Sequence, residues 1–177
     1  MATSAPAKQI EAEWAYEPDA KSFTDEATGY ACQITRGPGG HLCGYVGIPS
    51  SHQWFGKNYN ETVSVPQSVV RRPLDVDKVG AINLFCAGAG GNDPESGIID
   101  MVLALDVHGG LTFTSAKAPS SSIEGLWWVG FDCAHAGDYS PSYGARGFLA
   151  DGVYRNLAYV EAECRSLAKQ LSALAEA

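Results

Sequence analysis

The chain has 177 residues, of which 45% are hydrophobic and 18% are charged, and its formal net charge is −8. This length suits one domain with a sizeable core, and the composition is that of a folded globular protein. The acidic balance argues against non-specific nucleic-acid binding and against anionic membrane surfaces, because both require basic patches. Five cysteines without a Cys-x-x-Cys pair indicate free thiols in a reducing cytoplasm rather than a disulfide framework or a zinc ribbon.

The first part of the chain, residues 1–20, is rich in Ala, Glu and Pro. We interpret it as a loosely ordered lead-in to a single domain over residues 21–177. The first ten residues contain no apolar run, so no signal peptide is predicted. The longest apolar run elsewhere is too short to span a bilayer. We therefore expect a soluble cytoplasmic protein with no membrane or nucleic-acid partner.

The first firm element is a predicted β-hairpin. Residues 30–36 alternate as a strand, residues 37–40 read Gly-Pro-Gly-Gly and form the turn, and residues 41–48 return. Gly44 and Gly47 lie in the returning strand. They predict either a bulge or a close approach of another segment to the backbone.

The middle of the chain predicts further strands. Residues 63–70 are strand-like, residues 86–97 form a Gly-rich flexible loop, and residues 98–107 form a strongly apolar strand. This last strand is broken at residues 108–110 and continues at residues 111–114, and these segments are expected to form a central sheet pair with a strand that begins at Trp127. Alternation places Trp127 on the core-facing side of that strand and Trp128 on the opposite side.

The last element is a predicted amphipathic helix. Asn156 is a plausible N-cap, and Glu163 is expected to face water. Packing of the helix on the sheet is favoured, although the same apolar stripe could form the seam of a homo-oligomer. The predicted fold is α+β, a mostly antiparallel β-sheet covered by a C-terminal amphipathic helix. The stripe comprises Leu157, Val160, Cys164, Leu167, Leu171 and Leu174.

All four histidines fall in short segments that also carry glycine, aromatic or acidic residues. Histidine titrates near neutral pH and both donates and accepts hydrogen bonds, so this clustering indicates a functional site. Lys57 and Arg146 are candidate partners for an anionic group. The candidate ligand-binding residues are His52, Lys57, Tyr59, His108, Gly109, Gly110, Trp128, Asp132, His135 and Asp138.

Two of these segments carry a recognisable signature. Residues 108–113 read His-Gly-Gly-Leu-Thr-Phe, and residues 127–138 read Trp-Trp-Val-Gly-Phe-Asp-Cys-Ala-His-Ala-Gly-Asp. Together they resemble a family of small uncharacterised proteins of bacteria and their phages. Cys-Gly-Tyr-Val at residues 43–46, with His52 and the segment Gly-Lys-Asn-Tyr at residues 56–59, resembles the upstream motif of that family. Gln53 departs from the pattern, which predicts proline, and the loop at residues 86–97 resembles an insertion. The resemblance implies a site without implying a reaction.

Three functions are open. Cys133 with His108 or His135 would suit a cysteine hydrolase, but no histidine follows His135, unlike the order in papain-like peptidases. Metal ligand types are present too, and strands could converge on a two-histidine, one-carboxylate site. Because no spacing matches a known chelate, we assign no metal. These two routes make up the hydrolase hypothesis; a structural or interaction protein is the second function, and a binding protein is the third.

A binding pocket without chemistry is the favoured hypothesis. Aromatic residues lie beside the polar motifs, and Gly109 and Gly110 would let backbone amides approach an anion. We expect a small-molecule-binding protein for a planar polar ligand, such as a nucleotide-derived signalling molecule sequestered by a phage accessory protein. The glycines at residues 88–91 lack the Lys-Ser/Thr of a phosphate-binding loop, so no cofactor is assigned.

Overall fold

The computed structural model of the chain describes residues 13–80, 83–84, 87, 91–144 and 152–175. The architecture is α+β, as predicted: a mostly antiparallel sheet with a C-terminal helix packed on it. In chain order the strands and helices are β1 (Ala20–Thr24), β2 (Ala31–Arg36), β3 (Leu42–Pro49), β4 (Thr62–Ser64), α1 (Gln67–Val70), α2 (Val76–Val79), β5 (Ile98–Asp100), α3 (Met101–Ala104), β6 (Phe113–Ser115), β7 (Leu126–Asp132), α4 (Pro141–Gly144) and α5 (Leu157–Ala173).

The main sheet is antiparallel, with the strand order β1-β2-β3-β7-β6. The predicted hairpin is confirmed as β2 and β3, with Arg36 opposite Leu42 next to the turn. Strand β3 pairs along its length with β7, so that Asp132, the last residue of β7, lies opposite Cys43. The chain therefore leaves the centre of the sheet at Asp132 and enters the loop that carries His135 and Asp138.

The apolar stretch at residues 98–107 is not one strand and does not pair with β7. The strand that pairs with β7 is β6, which overlaps the predicted continuation at residues 111–114. Within residues 98–107 only β5 is extended, and it pairs with β4 in a separate two-stranded sheet. The chain then forms α3, where Met101 is fully buried. A short apolar run does not distinguish a buried strand from a buried helical turn. Residues 63–70 likewise divide into a short strand and, after Pro66, the helix α1.

The C-terminal helix α5 matches its prediction at the cap and along the stripe. The Asn156 side chain accepts a hydrogen bond from the Tyr159 backbone N–H at 3.0 Å. Leu167 and Leu171 are fully buried against β2 and β3, so the stripe serves the core of a single chain. With 17 residues, α5 is the longest helix in the described part of the chain, too short and polar to cross a bilayer.

Gly44 marks a close approach rather than a bulge. The β3 pairing is continuous on both sides of it. A Cβ atom at Gly44 would lie 2.6 Å from the Phe131 ring and 2.7 Å from the Cys164 sulfur. Glycine is therefore required for α5 and β7 to pack this tightly over β3.

The opposite face of the sheet is also covered. Trp128 is fully buried there, in a second apolar cluster with Cys43, Tyr45 and Ala118. Trp127 lies on the α5 side and packs against the main core, as the alternation predicts. The predicted alternation is therefore confirmed, since the two tryptophans lie on opposite faces of the sheet. The face that carries Trp128 is covered rather than open to solvent.

The end of the lead-in is attached to the domain. The Glu17 carboxylate accepts hydrogen bonds from the Tyr154 hydroxyl and from the Leu157 backbone N–H, both at 2.7 Å. The guanidinium of Arg36 lies over the Trp14 ring, 5.8 Å from its centroid. Tyr16 is 88% exposed and contributes no such anchor.

Candidate functional site

A cavity of about 750 Å³ lies beside the first turn of α5. Four segments meet there: the α2 region, the turn after residue 107, the loop after β7, and the approach to α5. The cavity is within the size range of small-molecule sites, about 300–1,000 Å³. Its lining residues are Asp75, Val76, Lys78, Gly80, His108, Gly109, His135, Ala136, Asp138, Arg155 and Tyr159.

Asp138 is the hub of this cavity and is only 1% exposed. Its Oδ2 accepts hydrogen bonds from His108 Nε2 at 2.7 Å and from the His135 backbone N–H at 3.0 Å, and Oδ1 accepts one from Arg155 Nε at 2.9 Å. Burial alone would raise the pKa of Asp138, but the His108 and Arg155 hydrogen bonds outweigh it and hold the pKa below its ordinary value. The carboxylate is therefore ionised and accepts from three segments.

His108 connects Asp138 to the hydroxyl of Tyr159, which lies 3.0 Å from His108 Nδ1. An ionised carboxylate can only accept, so Nε2 carries the proton towards Asp138. In the neutral imidazole Nδ1 then accepts from the Tyr159 hydroxyl. Burial raises the pKa of Tyr159 to about 12, and the nearby Glu163 carboxylate adds to the shift. The three side chains form a hydrogen-bonded relay with a protonated phenol at the cavity end.

Glu163 supports the relay from α5, and the prediction that it faces water is wrong. It is 8% exposed, accepts a hydrogen bond from the His108 backbone N–H at 3.0 Å, and forms an ion pair with Lys78. Two cations lie over the neighbouring Tyr159 ring, Lys78 at 6.0 Å and Arg155 at 4.9 Å from its centroid. Glu163 is therefore buried beside the apolar stripe because its carboxylate is paired with the His108 backbone N–H and with the Lys78 ammonium group.

His135 carries an incompletely satisfied ring nitrogen. Its Nδ1 is buried and has no hydrogen-bond partner within the described ranges. The nearest carboxylate oxygens lie 3.8 Å away on Asp138 and 3.9 Å away on Asp132, beyond hydrogen-bond reach. Buried polar atoms of native proteins nearly always have a partner, so this nitrogen is a candidate contact for a group that binds beside it.

Gly109 makes room for the His135 ring. A Cβ atom on Gly109 would lie 2.2 Å from His135 Nδ1, and one on Gly110 would lie 2.0 Å from the Val79 carbonyl oxygen. Both glycines have positive φ, +66° and +89°. They let the His135 imidazole and the end of α2 lie close to the backbone of the turn. The sequence predicts instead that an anion approaches the backbone at these glycines.

Gly109→Ala is expected to displace the His135 ring, because the added methyl group occupies its position. The left-handed backbone alone costs about 1–2 kcal/mol for an alanine. Gly29→Ala is the matched control, since Gly29 has φ +74° and open space around its Cβ position. Both variants should lose about this much free energy of unfolding, and Gly109→Ala should lose more because its methyl group also displaces the His135 ring. Unchanged imidazole NMR signals of His135 in Gly109→Ala would contradict this role.

The structure brings together His108, Gly109, His135 and Asp138, and it places other predicted residues elsewhere. His52 is buried against the far end of α5, where Nε2 donates to the Leu171 carbonyl and Nδ1 accepts from the Trp54 N–H. Lys57, Tyr59 and Trp128 do not line the cavity. Their contacts are with Glu61, with Thr114 and with the second core cluster, respectively. Arg146 is outside the described residues.

The two residues at the end of β7 also lie outside the cavity lining. Asp132 accepts a hydrogen bond from the Ala134 N–H at 3.0 Å and so shapes the loop. Cys133 is 1% exposed and packs in the main core. Burial raises the pKa of its thiol far above the ordinary value, with Asp138 adding to the shift. Since the thiolate is the nucleophile, these surroundings disfavour a catalytic cysteine.

Sequence reasoning missed Lys78, Arg155, Tyr159 and Glu163. A signal for three of them was present, because Arg155, Tyr159 and Glu163 follow one another at intervals of four. That spacing places them on one edge of the helix and its approach. Lys78 had no such signal, since only the fold brings α2 beside α5.

Comparisons of this chain with protein-family models, with curated proteins and with solved structures gave no match. The case for function therefore depends on the geometry of the cavity.

Proposed function

We propose that the protein binds a small polar molecule that carries an anionic group, and that the ligand occupies the cavity beside α5. The observation that carries the proposal is the convergence of His108, His135, Arg155 and Tyr159 from separate segments on one cavity of ligand size. A nucleotide-derived molecule is the ligand class we propose. The resemblance to small phage proteins extends the proposal to sequestration of a signalling nucleotide.

Arg155 supports an anionic ligand. Only its Nε is engaged with Asp138, and in the described part of the chain its terminal nitrogens have no hydrogen-bond partner. A guanidinium held by one nitrogen presents the remaining N–H groups in a fixed fork that suits phosphate or carboxylate. Its plane over Tyr159 also offers a flat surface to a base. The aromatic residues that the sequence predicted for the site, Tyr59 and Trp128, do not line the cavity.

Thermal-shift measurements with nucleotides and cyclic nucleotides test this function. A ligand at about one hundred times its Kd stabilises the native state by about 2.7 kcal/mol. We expect a shift in the full chain, loss of most of it in Arg155→Ala, and partial retention in Arg155→Lys. Arg71→Ala, at an exposed arginine outside the cavity, should keep it. Each variant is compared with its own ligand-free melting temperature.

The ligand should be recovered intact after long incubation, and Cys133→Ser should still bind it, because Cys133 is in the core. No shift with any member of the panel would contradict the proposal and favour an interaction protein. An equal loss of binding in Arg71→Ala and Arg155→Ala would exclude the cavity as the binding site.

A hydrolase is the second candidate, and the Tyr159–His108–Asp138 relay is the observation that favours it. A phenol on an imidazole that is oriented by a buried carboxylate has the order of a general acid–base chain. A cleaved product, with turnover abolished in Tyr159→Phe and retained in Cys133→Ser, would favour this candidate over binding alone.

A further inference from the structure

We propose that His108, His135 and Asp138 form a site for a divalent transition-metal ion, for which Zn²⁺ is the reference. Each residue offers one ligand atom within 4.8 Å of those of the other two. The contacts with Asp138 Oδ2 point to Nε2 of His108 and Nδ1 of His135 as the other two ligand atoms. His135 and Asp138 are three residues apart in the loop after β7, and the fold brings His108 to them from the turn after residue 107. The sequence spacing predicted no metal, and the proposal departs from that prediction.

The spacing of the three atoms suits an ion. Ligands about 2.0–2.2 Å from a tetrahedral zinc ion are roughly 3.4 Å from one another. The distance from His108 Nε2 to Asp138 Oδ2 is 2.7 Å, and that from His135 Nδ1 to Asp138 Oδ2 is 3.8 Å. One distance is shorter and the other longer than this spacing, so a bound ion would replace the hydrogen bond between His108 and Asp138.

The unpaired Nδ1 of His135 is the second, independent observation. It is buried beside the cavity, within reach of the other two ligand atoms. A neutral imidazole nitrogen is the commonest protein ligand of zinc, and an ion at this position satisfies it. Two imidazoles with one carboxylate also select transition metals over Mg²⁺ and Ca²⁺, which prefer all-oxygen sites.

Outer contacts already orient two of the ligands. The Tyr159 hydroxyl is hydrogen-bonded to His108 Nδ1, the nitrogen that is not a proposed ligand. Arg155 Nε donates to Asp138 Oδ1, the carboxylate oxygen that is not a proposed ligand. Such contacts set ring orientation and ligand basicity in metal sites. When the ion occupies Nε2 of His108, the proton moves to Nδ1, which then donates to the Tyr159 oxygen. The contact between His108 and Tyr159 is thus kept with and without the ion, and only the direction of the hydrogen bond changes.

The local charge favours a cation. Asp75, Asp138 and Glu163 carry three negative charges at or directly behind the cavity wall, against two positive charges on Lys78 and Arg155. A tetrahedral ion on three protein ligands keeps a fourth position for water or a ligand group. An anionic group of a ligand would take that position. This last step rests on the proposed function, whereas metal binding itself does not.

Titration of the chelator-treated full chain with Zn²⁺, and with Co²⁺ followed by visible absorption, tests the site. We expect one ion per chain. His135→Ala should weaken Zn²⁺ binding at least about 100-fold, and Tyr159→Phe roughly 10-fold, the range known for outer contacts. His41→Ala is the matched control, since His41 is not in the ligand set or the cavity lining, and its affinity should stay within about twofold.

His135→Ala is the decisive variant, because the His135 side chain is 27% exposed and circular dichroism can verify its fold. Absence of a bound ion in the wild-type chain would overturn the proposal. So would equal affinities in the wild type and His135→Ala, or equal losses in His135→Ala and His41→Ala. No organic ligand is present in these titrations, so their failure is distinct from failure of the nucleotide panel.

Discussion

Asp138→Asn is expected to lower the free energy of unfolding by about 3 kcal/mol, the largest effect that we predict for a single polar atom. An amide presents one acceptor and one donor where the carboxylate accepts on both oxygens. The donor must then face either Arg155 Nε or the His135 backbone N–H, each of which donates to Asp138. One donor is then left opposite another donor, and this is the cause of the expected loss.

Asp132→Asn is the matched control for this prediction. Asp132 is in the same loop, but its side chain is 30% exposed and its main contact is the Ala134 N–H. An asparagine oxygen can keep that hydrogen bond, so the loss should stay below about 1 kcal/mol. Urea unfolding of both variants measures the difference. Similar losses would mean that Asp138 is not the hub of the loop.

Leu167→Ala is expected to destabilise the chain by about 2–5 kcal/mol. Leu167 is fully buried at the centre of the α5 stripe, in the core formed with β2 and β3. Removing the side chain leaves a cavity that the surrounding strands cannot fill without losing their register. Because small domains are stable by only about 5–15 kcal/mol, this change is a large part of the total.

Leu74→Ala is the control, since Leu74 is 45% exposed and its loss should stay within about 0.5 kcal/mol. Chemical unfolding and size-exclusion chromatography should be measured together. A loss under about 1 kcal/mol in Leu167→Ala, accompanied by dissociation of an oligomer, would mean that the stripe is a subunit seam instead.

The structure also changes how the functional hypotheses compare. A thiol mechanism needs an accessible thiolate near an imidazole, and Cys133 is in the core with a raised pKa. A purely aromatic pocket needs exposed rings, and of the predicted site aromatics Trp128 is fully buried. What remains is a polar cavity in which His108, His135 and Asp138 meet, which suits ligand or metal binding and acid–base chemistry.

Local patterns in the sequence were sufficient to predict several elements. The Gly-Pro-Gly-Gly turn and its flanking alternation predicted the β2–β3 hairpin, because turn type and period 2 act over a few residues. The spacing of three and four predicted α5, and Asn156 predicted its start. The loop after β7 is predicted to carry a site because it concentrates chemically capable side chains at the end of a buried strand, and this stays a prediction.

Only the tertiary structure decided which of those side chains work together. His52 and His108 have the same chemistry and the same kind of local sequence, yet one is bonded to the Leu171 carbonyl in the core and the other to Asp138 at the cavity. The sequence could not show whether Glu163 is buried or solvated, because its partners, the His108 N–H and Lys78, are distant in the chain. Burial and partnership depend on contacts between residues distant in the chain, and no local period encodes them.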